Sequence, residues 1–212
     1  MSTTSRALVL VVPLVGLSLV APPAGADEER QVVAYLDPIE GTGITGHGHA
    51  EVEFDRQGEI VEFEVKARGL LADAPHAAHI HFGEQARHEC PTLEDDTSGD
   101  DRLTTVEGAP AYGPVVLSLT TSGDTGPGSV LAIDRYDTAT DGRIHYERER
   151  EGVFATADGV AEAIADGEGV VVIHGVDYNG NGEYDFSAGT SDLKAELPAE
   201  ATNPALCGVL ED

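Results

Sequence analysis

Tryptophan is absent from this 212-residue chain, methionine occurs once, and aromatic residues make up only 5%. Neither a methionine-rich copper tract nor a broad aromatic platform is therefore available. Basic residues are also scarce: 12 Lys and Arg stand against 39 Asp and Glu, for a net charge of −27. So acidic a chain is a poor partner for nucleic acid or an anionic membrane, since both carry the same sign of charge. The charge suits a salty or exposed environment. Only two cysteines are present, Cys90 and Cys207, and none follows the N-terminal apolar run, so a lipid anchor on cysteine has no attachment point there.

That apolar run, Ala7 to Ala21, is interrupted by Pro13 and is too short to span a bilayer comfortably. Arg6 precedes it, and Ala24-Gly25-Ala26 follows with the small-residue pattern of a cleavage site. Residues 1–26 are expected to be a signal peptide, giving a secreted protein that starts at Asp27 and keeps no membrane association after cleavage. Residues 27–212 are long enough for one domain with a real core. In an exported protein, two cysteines read as one disulfide.

Strand patterns dominate the rest. Gln31 to Leu36 is a β-rich opening. His49 to Phe54 and Ile60 to Lys66 alternate, with Ala50, Val52 and Phe54 facing Val61, Phe63 and Val65 across an Asp55–Gly58 turn: a hairpin with one buried face. Val115 to Thr121, Ser129 to Tyr136, Gly142 to Glu147, Val170 to Ile173 and Leu206 to Leu210 also read as strands. Residues 91–114 read as a long acidic loop, and Asp158 to Asp166 as one short helix, capped by Asp158 and ended by Gly167. Many short strands and little helix imply an all-β sandwich or barrel.

Against this background His76-Ala77-Ala78-His79-Ile80-His81 stands out, because the chain holds only eight histidines. His79 and His81 are two apart, so on a strand both rings leave the same face, and two imidazoles on one face make half of a transition-metal site. His174, at the end of the apolar run Val170–Ile173, supplies a third. The bland alternative is a strand with surface histidines. His47, His49 and His145 read as surface or structural side chains rather than ligands.

At this point the chain resembles the copper/zinc superoxide dismutases. His79-Ile80-His81 looks like that family's pair of copper ligands, with His76 at the place of a structural histidine. Cys90 has the matching spacing, Val172-Ile173-His174 is similar to the strand bearing the last copper ligand, and Leu206-Cys207-Gly208-Val209 is similar to the C-terminal Cys-Gly-Val segment. The resemblance implies an eight-stranded Greek-key β-barrel over residues 31–210, a Cys90–Cys207 disulfide, copper on His79, His81 and His174, and superoxide as substrate. There are departures. Residues 91–144 contain no histidine, so the bridging and zinc ligands are missing and zinc is not expected; His88 precedes Cys90 and does not match the bridging position. Pro204 stands where the family places an arginine that attracts superoxide. A weaker resemblance, confined to His79-Ile80-His81, is to the CHRD domains, and it implies a non-enzymatic secreted module with structural or vestigial histidines.

A separate motif runs Asp177-Tyr178-Asn179-Gly180-Asn181-Gly182-Glu183-Tyr184-Asp185. Oxygens of Asp177, Asn179, Asn181 and Asp185 fall at calcium-loop spacing around Gly182, though Ala188 replaces the usual bidentate Glu. The alternative is a turn-rich Asn-Gly loop.

Overall fold

The computed structural model describes residues 30–149 and 154–212, besides Met1. The expected signal peptide lies outside the described residues. Eight antiparallel strands form one curled sheet with the order β5-β4-β7-β8-β1-β2-β3-β6. They are β1 (Arg30–Pro38), β2 (His47–Phe54), β3 (Ile60–Arg68), β4 (Ala78–His81), β5 (Val115–Ser118), β6 (Arg143–Glu149), β7 (Val170–His174) and β8 (Pro204–Val209). The all-β expectation holds. The sheet is a half-barrel in which β5 and β6 are the two edges and share no ladder. Side chains span the gap instead: Arg148 on β6 donates to the Thr120 carbonyl just beyond β5 at 2.8 Å.

The hairpin forms as the alternation requires. Ala50 pairs with Val65 and Val52 with Phe63, and all four are buried. The Asp55 carboxylate closes the turn by accepting from the amides of Gln57 and Glu59. One residue departs from expectation. The register shifts at Glu53–Phe54, so Phe54 pairs with Ile60, and Ile60 rather than Val61 enters the core. The outer face of this wing carries like residues in rows: Glu53, Glu62 and Glu149, then Glu51, Glu64 and Glu147.

β7 is buried on both faces, which explains its unbroken Val-Val-Val-Ile run. Val171 and Ile173 join the main core with Ile80, Leu117 and Phe63. Val170 and Val172 face outward into a second cluster with Leu103, Tyr112, Ile39 and Cys207. The cover over that outer face comes from residues 82–114, of which 91–114 are expected as a loop. It contains α1 (Thr105–Tyr112), opened by a reciprocal Thr104–Glu107 capping box. The Cys90–Cys207 disulfide is formed and ties this cover to β8.

Three further expectations are corrected. Ser129–Tyr136 is not a strand but irregular chain with short 3-10 turns at Pro127–Ser129 and Ile133–Arg135. β5 stops at Ser118, three residues early. The short helix α2 (Val160–Ala163) runs on into a wider turn as far as Glu168. Gly159, at positive φ, precedes it, and no side chain caps it, so Asp158 does not serve as the cap. Gly167 does end the turn, at φ 88°. A last helix, α3 (Ala199–Thr202), leads into β8. Among the described residues no helix is long and apolar enough to cross a membrane.

Candidate metal centre

On β4, Ala78 and Ile80 pair with Ile173 and Val171 and point into the core. His79 and His81 pair with Val172 and Val170 and therefore share the outer face. His174 follows the same alternation on β7. The three rings meet under the cover, with centroids 5.0 Å (His79–His174), 5.8 Å (His79–His81) and 6.0 Å (His81–His174) apart. One nitrogen from each lies within 4.8 Å of the others, so the trio could hold a metal ion.

The tautomers follow from the hydrogen bonds. A carbonyl oxygen only accepts, so the ring nitrogen facing it must carry the proton. His81 donates from Nδ1 to the Gly113 carbonyl at 2.9 Å, and His174 from Nδ1 to the Thr202 carbonyl at 2.7 Å. His79 donates from Nε2 to the Tyr136 hydroxyl at 2.8 Å, with the Val130 carbonyl at 3.3 Å. The hydroxyl in turn donates to the Ser129 carbonyl at 2.8 Å. The remaining nitrogens, Nδ1 of His79 and Nε2 of His81 and His174, are buried and have no hydrogen-bond partner. Three fixed lone pairs thus converge in the interior. Unpartnered buried polar atoms are costly, and metal ligation is a way to satisfy them.

Burial also keeps the rings neutral, since an imidazolium there would lose its hydration. It lowers His81 to about 3 and His174 to about 4, and it pushes His79 well below the usual histidine value, with the neighbouring histidines adding to the effect on His79 and His81. Three neutral imidazoles suit Cu, Zn, Fe or Ni rather than calcium or magnesium.

The supports come from distant chain. Gly113 ends α1 at φ 86°, and a Cβ there would fall 2.9 Å from the backbone of Phe82 and Gly83, so only glycine can present that carbonyl to His81. Thr202 lies on α3. Tyr136, Gly113 and Thr202 carry no local motif, and the sequence reading did not single them out. His76 precedes β4, so strand alternation does not govern it. It is buried, with Nδ1 2.9 Å from the His174 carbonyl, Nε2 3.1 Å from that of Leu71 and the Tyr184 hydroxyl 3.2 Å from both, so the neutral ring donates to one carbonyl while its other nitrogen accepts from the hydroxyl, and it braces the backbone at His174.

The other histidines lie elsewhere. His47 is exposed and bonded by Arg68, while His145 lies against Glu64 at 3.0 Å and, with Glu147, makes an exposed cluster on the outer sheet face. His88 is bonded to the Gly83 carbonyl. In the Asp177–Asp185 loop the Asp177 carboxylate accepts from the amides of Gly180, Asn181 and Gly182, and Asp185 accepts from the side chains of Asn179 and Asn181. The four expected calcium ligands are thus gathered in one loop. The buried Glu200 of α3 fastens it by accepting from the amides of Tyr178 and Asp185 and the Ser187 hydroxyl. Neither a protein-family model nor a curated protein matches this chain.

Proposed function

We propose that this chain is a secreted copper-binding protein on a superoxide dismutase-like Greek-key fold, holding one copper ion on His79, His81 and His174 without zinc. The convergence of three buried, tautomer-fixed and otherwise unpartnered imidazole nitrogens carries the reading. Supporting it are the disulfide and a sheet whose chain crosses between its two wings at β3–β4, β5–β6 and β6–β7, the non-sequential kind of path a Greek key takes. Copper would supply one-electron chemistry, and superoxide dismutation is the activity the resemblance implies. The protein's own part is to orient the rings, keep them neutral and exclude bulk water. Copper loading followed by gel filtration tests the binding: one copper per chain is expected, lost in His79→Ala. A superoxide assay on the loaded protein tests the activity. Absence of retained copper leaves the non-enzymatic CHRD-like module.

We also assign calcium to Asp177, Asn179, Asn181 and Asp185. The calcium-loop spacing of these four residues, in a loop that Glu200 fastens, supports this.

A further inference from the structure

The cavity over the three histidines is small, about 30 Å³, and its wall is formed by uncharged groups. Val130, Leu131, Ile133, Leu193 and Ala201 line it beside the rings. Ile133 and Leu193 are also 37% and 40% exposed, so they stand at its outer rim. This volume holds a molecule of water or diatomic size and little more.

No Lys or Arg lines the cavity among the described residues. The cations near it in sequence are turned elsewhere or stand outside. Arg135 spends its guanidinium on the carbonyls of Ser122 and Asp124 and the Ser129 hydroxyl. Lys194 follows Leu193 but is exposed and outside the lining, between the exposed acids Asp192 and Glu196. Asp192 accepts from the Val106 amide, which places its carboxylate next to the lining residue Thr105. An anion entering here would leave water for an apolar throat lined by no cationic side chain, in a protein of net charge −27, and would meet positive charge only at the metal itself. A neutral small molecule meets none of these penalties.

We infer that the rim of Ile133 and Leu193 makes this centre selective for one small uncharged ligand and closes it to anions. The inference rests on the metal-binding reading above and specifies which class of molecule reaches the site. It runs against superoxide as the ligand.

Carbon monoxide and azide serve as probes on protein that has retained copper through gel filtration, so that failure to hold copper is registered first and separately. The reduced, copper-loaded protein should show a C–O stretching band with carbon monoxide. The electron paramagnetic resonance spectrum of the oxidised form should not change with azide. Leu193→Arg places a cation on the rim and should raise azide affinity at least about tenfold, while the uncharged Leu193→Gln should leave the spectrum unresponsive. Spectral perturbation of the wild type by azide overturns the inference, and its loss in Lys194→Gln would identify Lys194 as an anion guide. Rejection of azide by Leu193→Arg, with carbon monoxide still bound, overturns it too, because size rather than charge would then be selecting. Loss of copper on gel filtration removes the metal reading and this inference together.

Discussion

The hydroxyl of Tyr136 stands 2.8 Å from Nε2 of His79 and donates its own hydrogen to the carbonyl of Ser129, so one side chain, with the Val130 carbonyl beside it, orients a ring 57 residues away. Tyr136→Phe removes the shorter of the two contacts to Nε2 and leaves the Val130 carbonyl at 3.3 Å as its remaining acceptor, so the His79 ring is held less firmly. Outer-shell partners of this kind are typically worth 10–100-fold in metal affinity. Copper affinity, measured by competition with a chelator, should fall by about that factor while the melting temperature of the metal-free protein moves little.

The four buried histidines make the metal-free protein acid-sensitive. Burial lowers His76, His79, His81 and His174 in the folded state, whereas in the unfolded chain they take up protons near their ordinary value. Their contribution is therefore complete above about pH 6.5 and is lost as pH falls through 6.5 toward the folded values, about 4 for His174 and about 3 for His81. At pH 5 His81 and His174 would each cost on the order of 2 kcal/mol on this basis, less where their titrations are coupled, with His79 acting in the same direction. Denaturant unfolding at pH 7 and pH 5 checks this, and equal stability at both would show that the rings are not held neutral.

Reducing the Cys90–Cys207 bond releases the cover over the outer face of β7. The closed loop spans a sequence separation of 117, and the chain-entropy argument puts its stabilisation at about 4–5 kcal/mol, less where the unfolded chain is compact. Melting with and without reductant should show a large drop, and Cys90→Ser with Cys207→Ser should reproduce it under oxidising conditions.

Calcium should raise the melting temperature and chelator should lower it, because an ion bound only by the folded loop adds to stability. Glu200→Gln weakens the charged clasp on the amides of Tyr178 and Asp185 and should reduce the calcium-dependent shift. Identical curves with calcium and with chelator would rule the loop out as a calcium site.

What the sequence displays depends on the range of the interaction. The β2–β3 hairpin was legible because alternation and the Asp55 turn are local, and the shared face of His79 and His81 followed from strand periodicity alone. Ser129–Tyr136 was misread because its apolar residues look like a strand, yet Val130, Leu131 and Ile133 are apolar in order to roof the histidine cavity. α1 carried a visible Thr104–Glu107 cap, but Pro110 and the surrounding acids masked it. Tyr136, Gly113 and Thr202 could not be found locally, since each acts on a ring 28 to 57 residues away. The barrel implied by resemblance is here an open half-barrel, a difference that rests on whether two edges pair, and residue pattern does not report that.

Those open edges bear on how the protein behaves in a crowd of its own copies. β6 is an edge strand of seven residues, long enough to template the addition of a foreign strand. Its outward side chains are Arg143, His145, Glu147 and Glu149, and the glutamates continue as rows across β3 and β2. In a two-fold antiparallel pairing with a second copy, Arg143 would face Glu149 and His145 would face Glu147, while the glutamate rows of β3 and β2 behind them would add like charge. The seam where the sheet does not close is thus flanked by acidic rows, so the approach of a second copy to it depends on the salt that screens them.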